Sequence, residues 1–404
     1  MPILKLTAEG IGPFTKLELD FSDGQGQPHL GPHIIVGVNG AGKSTALKTL
    51  AWSLGLGTQG FDFDEFKHRL HGDGSRADVL RSDFPRDSSM VNAYFSKGNH
   101  QFGRVYPLCC AAYSPATSIR FRDYPDLTKN LKDSSEGALA FERTVDNEKL
   151  HSFLLGLFSR EAIAKQQDLP NERYALVKHQ VISAVEAICS GALSVELEPT
   201  YHPVVDYAGH RSNFSQLPDG VRCTLGWLAD FMMRLQVHGT NQDEGILMID
   251  EIDVHLHPKW QRRILPALQK ALPKVQIVVT THSPFVISSC QGARVHVLDL
   301  NEKTGEANAR PPIDAPIGQS IAATINGIFG VDSVYDINTE EKLEQWRALR
   351  NKIRKNSLSP EESTKMDELV RTLASRSEEL RLIVGSPPAL SEDLLEVLTS
   401  GYQK

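Results

Sequence analysis

The segment GVNGAGKST (Gly37–Thr45) fits GxxxxGKS/T, a spacing that closes around a polyphosphate. Gly37, Gly40 and Gly42, with Asn39 and Ala41 between them, leave room for backbone N–H groups to turn inward. Lys43 is then placed to reach the β and γ phosphates of ATP, and the Ser44 hydroxyl, beside Thr45, to ligate Mg²⁺. Farther along, ILMIDEID (Ile246–Asp253) is an apolar run that ends in two adjacent acids. An aspartate at a buried strand end, Asp250, is placed to hold Mg²⁺, and Glu251 to polarise an attacking water as a general base. A third run, IVVTTHSPF (Ile277–Phe285), ends at His282, within reach of the same γ-phosphate and water. Each piece also has a plainer reading: a glycine-rich turn without ligand, a strand terminus, a satisfied polar side chain. Together they supply a phosphate cradle, a metal clamp and a base.

Such groups need buried strands that stop abruptly and helices that start there. The first 36 residues alternate like short antiparallel strands (ILKLTAEG, then Phe14–Phe21), and Ile34–Val38 is a buried strand breaking into the glycine loop. Ser44–Gly57 has helical spacing and ends in glycines. Between residues 58 and 120 the pattern is mixed, with VNAYF and VYPLCCAAY as strand candidates. QLPDGVRCTLGWLADFMMRL (Gln216–Leu235) reads as an Asp-Gly turn followed by an apolar helix around Cys223–Val237. ILMID, QIVVTT and VHVLDL are strands, with a helix from His257 to Ala271 between the first two, a spacing that predicts parallel crossovers. Helices at Asn147–Phe158 and Asn171–Ser190 mark an inserted helical lobe. The chain thus divides into an N-terminal lobe (1–120), a helical insertion (121–195), a C-terminal lobe (196–330) and a helical region (331–404). In the last, Ser359-Pro360-Glu361-Glu362 starts a helix. Arg347, Arg350, Lys352, Arg354 and Lys355 read as a solvated basic face, with a DNA or partner contact as the alternative.

At 404 residues, two or three domains are expected. Acids outnumber bases 50 to 43, for a net charge of −7, which argues against a basic coat protein but not against a local basic groove. No apolar run reaches the ~18 residues of a membrane span, and MPILKLTAEG lacks the pattern of a secretory signal. A cytoplasmic protein with no membrane partner is expected. Cys109, Cys110, Cys189, Cys223 and Cys290 form no CxxC pair and read as reduced thiols.

Taken in order, the phosphate loop, Leu-x-Asp-Gly helix, Asp-Glu strand and strand-His resemble the ATP-binding-cassette (ABC) ATPases. Within these the match is to the soluble branch with SMC proteins, RecF and the overcoming-lysogenization-defect nucleases, over roughly residues 1–300. The resemblance implies an α/β ABC-type ATPase head, a P-loop parallel sheet plus an antiparallel β subdomain, with a helical insertion and a helical C-terminal tail. It implies a homodimer or higher homo-oligomer whose two heads sandwich two nucleotides, Asp219 and Gly220 capping the γ-phosphate of the other head. Pro218 stands where the signature serine is usual. Proline has neither hydroxyl nor N–H, which leaves that contact to nearby backbone N–H groups or to Ser215 and bears on hydrolysis rate. His257 stands where many members have Asp.

DEIDVHLHPKWQRRILPAL (Asp250–Leu268) with VVTTHSPFVISS is similar to one subgroup of bacterial ATPases from anti-phage operons. These are the ATPase subunit of the Septu system and its retron-associated relatives, which act with a separate HNH-type nuclease. The segment between Ser44 and Ser215 is too short, and lacks the heptads, for an SMC-type coiled coil. After His282 there is no Glu followed by an Asp-x-Asp cluster, so no Toprim nuclease is expected, and no HNH or PD-(D/E)xK signature is evident. Glu196 and Glu198 read as a strand with one wet face. Cutting of nucleic acid is therefore expected on another chain. The alternatives are a stand-alone RecF/SMC-like DNA-repair ATPase, a transporter nucleotide-binding subunit, and a scaffold that binds ATP but hardly hydrolyses it.

Overall fold

A computed structural model describes residues 2–54, 75–81, 90–96, 99–102, 110–114, 139–140, 172–197, 203–237, 244–331, 335–354 and 359–385. The helix expected at Asn147–Phe158, Cys109, Lys355 and the Ser215 side chain lie outside the described residues. Two compact units result, Met1–Ile317 and Gly318–Lys404.

In the first unit, β1 (Ile3–Ile11) and β2 (Phe14–Asp20) pair antiparallel, with buried Leu6 opposite Leu19 and buried Ala8 opposite Leu17. They continue through β4 (Ser75–Arg81), β5 (Met90–Ser96) and β6 (Asn99–Phe102) into a sheet of order β2-β1-β4-β5-β6. The main sheet is built from β3 (His33–Gly37), β7 (Cys110–Tyr113), β8 (Leu139–Ala140), β12 (Gly245–Ile249), β13 (Val275–Thr280) and β14 (Arg294–Leu300). Its order is β14-β3-β13-β12-β7-β8, all parallel, with β15 (Ala307–Ala309) and β16 (Ile313–Asp314) antiparallel on β14. Every residue of β3, β12 and β13 is buried, so these strands show no alternation, and the polar His33, Gln276 and Thr280 are buried with their apolar neighbours. Helix α1 (Lys43–Ser53) places Leu47, Leu50 and Trp52 in one core cluster with Leu6, Phe14, Leu19 and Phe21 of the antiparallel sheet.

Helix α2 (Glu172–Cys189) packs against α3 (Asp219–Val237) and α4 (Pro258–Ala271). A meander of β9 (Leu193–Leu197), β10 (Pro203–Tyr207) and β11 (His210–Ser212) joins α2 to α3. In it Glu196 is exposed and 3.6 Å from Arg211, the wet strand face expected of that residue. Helix α3 starts earlier than the sequence suggested. Its Asp-Gly pair is its first turn, and the Arg222 N–H donates to the Pro218 carbonyl at 2.9 Å. A short helix, α5 (Pro284–Ile287), follows β13, its Ser283 hydroxyl accepting from the first turn.

The second unit holds α6 (Ile321–Phe329), α7 (Ile337–Arg354), α8 (Pro360–Ala374) and α9 (Glu378–Gly385). Leu343, Trp346, Leu369, Leu373, Leu380 and Ile383 form its core. The Ser359–Glu362 capping box opens α8 as its spacing requires. The basic run on α7 is not wholly a solvated face. Arg350 is buried with its guanidinium 4.7 Å over the Trp346 ring, Arg347 pairs with Glu340 at 3.3 Å, and Lys352 pairs with Glu362 at 2.5 Å.

Candidate functional site

Three neighbouring parallel strands, β3, β13 and β12, end at one edge of the sheet, and the candidate residues follow their last residues. At β3 the chain bends into the glycine loop. Gly42, at φ +86°, caps α1, and a Cβ there would stand 2.6 Å from the Phe14 ring. A Cβ on Gly37 would stand 2.6 Å from the Leu298 carbonyl. Only glycine fits either place. Lys43 is buried, and its ammonium donates to the carbonyls of Gly37 at 3.0 Å and Val38 at 3.1 Å. Burial lowers its pKa, while Glu251, Asp250 and Asp253 oppose that shift.

Beyond β12, the Asp250 N–H donates to the Tyr113 carbonyl at 2.8 Å and its carboxylate accepts from the Thr280 hydroxyl at 2.5 Å. The same Thr280 oxygen accepts from the Glu251 N–H at 2.7 Å, and the Thr280 carbonyl accepts from the Ile252 N–H at 3.1 Å. Thr280 thus fixes the backbone where Glu251 adopts φ +48°, a left-handed conformation rare outside glycine. Partial burial raises the Glu251 pKa, Asp250 and Asp253 raise it further, and Lys43 counteracts them. A more basic carboxylate is the better proton acceptor near neutral pH. Asp253 accepts from the Thr281 hydroxyl. Exposed His282 has its pKa lowered, first by desolvation and next by Lys43, which favours the neutral imidazole. Thr280 and Thr281 stand in the string TTH before His282, where a sequence reader looking for His282 passes over them.

From Glu251 the loop runs through two tight turns to His257. The His257 Nδ1 caps α4, accepting from the Lys259 N–H at 3.2 Å, a short-range acceptor role like that of an aspartate there. Gly220, in the first turn of α3, lies so close that a Cβ would stand 2.7 Å from the His255 carbonyl. Asp219 is exposed and accepts from Arg222 at 2.5 Å. Deeper in α3, Asp230 accepts from Tyr113 Oη at 2.5 Å and, through both oxygens, from Arg234 at 2.8 and 3.2 Å. All three side chains are buried, and Tyr113 is the residue whose carbonyl holds Asp250. Burial, then the Asp230 charge, pushes the Tyr113 pKa well up, so the phenol stays a donor. Sequence reading missed this cluster; its signal was an acid and a base one turn apart in an otherwise apolar helix.

The donor set fits a hard cation. Asp250 offers a buried carboxylate and Ser44 a hydroxyl, the oxygen ligands that Mg²⁺ prefers, while the α1 N-terminus and Lys43 favour anionic phosphates. Among the described residues no helix is long and apolar enough to cross a membrane. The described Cys110, Cys189, Cys223 and Cys290 are free thiols.

Residues 132–288 match the family described as "AAA domain, putative AbiEii toxin, Type IV TA system", and residues 5–151 match "AAA domain". The chain is 27% identical over 344 residues to the Septu protein PtuA of Bacillus mycoides (strain KBAB4), covering 80% of this chain and 44% of that protein. It is 23% identical over 326 residues to the Septu protein PtuA of Bacillus thuringiensis, covering 74% of this chain and 76% of that protein. It is 33% identical over 131 residues to the retron Ec83 probable ATPase of Escherichia coli, 31% of this chain and 24% of that protein. It therefore spans less than half the length of the first and the third of these relatives. With its parallel P-loop sheet, antiparallel β sheet and motif order, the chain resembles an ABC-type ATPase and, among these, the Septu and retron ATPases.

Proposed function

We propose that this protein is a Mg²⁺-dependent ATPase of the ABC type that works as a dimer and regulates a separate, HNH-type nuclease in anti-phage defence. The carrying observation is the meeting of the buried Lys43 ammonium, held in a glycine loop, with the charges of Asp250, Glu251 and Asp253 at one sheet edge. The loop N–H groups and Lys43 would bind the β and γ phosphates, and Ser44 and Asp250 would hold the metal. Bound Mg²⁺ would neutralise charge on the phosphates. Glu251 would take the proton of the attacking water, and neutral His282 would orient that water against the γ-phosphate. Asp219 and Gly220 would face the nucleotide of the second head. The packing of Gly220 against the His255 carbonyl ties that contact to the loop that carries Glu251.

Likeness to the Septu and retron proteins supports the defence setting. Turnover and nucleotide binding test the assignment together. Glu251→Gln is expected to retain ATP, accumulate dimers and lose about two orders of magnitude in turnover. Lys43→Ala is expected to lose nucleotide binding itself. Near-normal hydrolysis by Glu251→Gln would overturn the assignment of the base.

A further inference from the structure

The stretch Val254–Leu298 contains no aspartate or glutamate, in a chain whose net charge is −7. Within it, α4 buries Ile264, Leu265 and Leu268 on one side. Lys259, Arg262, Arg263 and Lys270 lie along the opposite side, the last three at three, four and eleven residues from Lys259, and all four are exposed. Lys274, just past the helix end, is exposed as well. Among the described residues no carboxylate pairs with any of these five cations; Arg263 donates to the neutral Ser190 hydroxyl. Most other arginines with described contacts behave differently. Arg76, Arg211, Arg222, Arg310 and Arg347 each face an acid.

We infer that this face of α4 is a docking surface for the phosphate backbone of a duplex nucleic acid. From Lys259 to Lys270 the cations span about 16 Å of helix axis, and a duplex presents a phosphate every ~3.4 Å along each strand, so several are within reach at once. An acidic protein fits less well. Stable protein interfaces are built around an apolar core and depleted in lysine, and none of the exposed large apolar side chains lies on α4. Phosphate contacts need only cations, and they position a duplex without reading its sequence. The face also starts where the Glu251–His257 loop ends, so a bound duplex would lie beside the candidate site.

The test needs no nucleotide, so its failure is separable from failure of the ATPase reading. Anisotropy of a labelled duplex of about 30 base pairs is followed with the full chain across a salt titration. Wild type is expected to bind with a log–log salt slope of −3 to −5 or so, set by about 0.9 per phosphate neutralised. Arg262→Gln with Arg263→Gln is expected to reduce the slope by nearly 2 and weaken binding about tenfold or more near 100 mM salt. Its unchanged circular dichroism and unchanged ATP turnover without duplex would show that the fold and the site persist. Lys342→Gln on α7 together with Lys365→Gln on α8 removes the same two charges and is the control expected to leave the slope alone. Absence of duplex binding, an unaltered slope in the double variant, or salt-sensitive binding of polyglutamate in place of duplex would each overturn the proposal.

Discussion

Thr280 is one hydroxyl between two acids: it donates to Asp250 and accepts from the Glu251 backbone. Valine has the same shape without either bond. Thr280→Val is therefore expected to cut turnover about tenfold to a hundredfold, the cost of hydrogen bonds to charged groups, while ATP affinity stays within about threefold. Thr280→Ser should restore most of the rate, because the oxygen returns; equilibrium ATP titration beside steady-state turnover separates the two effects. Lys43, Asp250 and Glu251 were legible in the sequence because each sits at a fixed offset from a strand end, and a strand–loop–helix segment is local in the chain. Thr280 was not, since its partners lie about thirty residues away and only the pairing of β12 with β13 brings them opposite.

Elements are coupled by the buried cluster on α3. Tyr113 at the end of β7 meets Asp230 and Arg234, so the helix that carries Asp219 and Gly220 is fastened to the strand that holds Asp250. Asp230→Ala would take the carboxylate away from the buried Arg234, a loss of about 3–5 kcal/mol, whereas Tyr113→Phe removes one hydroxyl donor to that carboxylate and should cost about 1.5–3 kcal/mol. Urea unfolding of the two variants tests this ordering. Comparable losses would mean that the ion pair is not the fastening. On the same helix the Asp-Gly pair was read as a turn before the helix. Within it, Gly220 is needed because the His255 carbonyl comes too close for a Cβ, a contact that no local sequence window contains.

A neutral histidine pair between β3 and β14 links the stability of the first unit to pH. His33 Nε2 lies 3.1 Å from the His29 carbonyl and must donate, so His33 Nδ1 accepts from His296 Nε2, also at 3.1 Å. His296 is fully buried, and desolvation, with Arg294 and His29 adding and Asp20 opposing, pushes its pKa down to about 4; burial, then His296, pushes His33 well down too. A histidine with a depressed native pKa stabilises above its unfolded value near 6.5 and loses that stability as pH falls toward 4. The loss for His296 is of order 3 kcal/mol at the acid end. Urea melts between pH 7 and pH 4.5 should show it, and His296→Gln, which keeps a donor toward His33, should flatten the slope. By itself the sequence determined the order of chemical groups, the phosphate loop, the acidic strand end and the capped helices, because each is a short-range consequence of spacing. Only the tertiary structure decided which charges are spent and which are free. The basic run on α7 is largely taken up by Glu340, Trp346 and Glu362, while the cations of α4 are exposed and pair with no acid among the described residues, because a charge is paired by whichever elements the fold brings beside it.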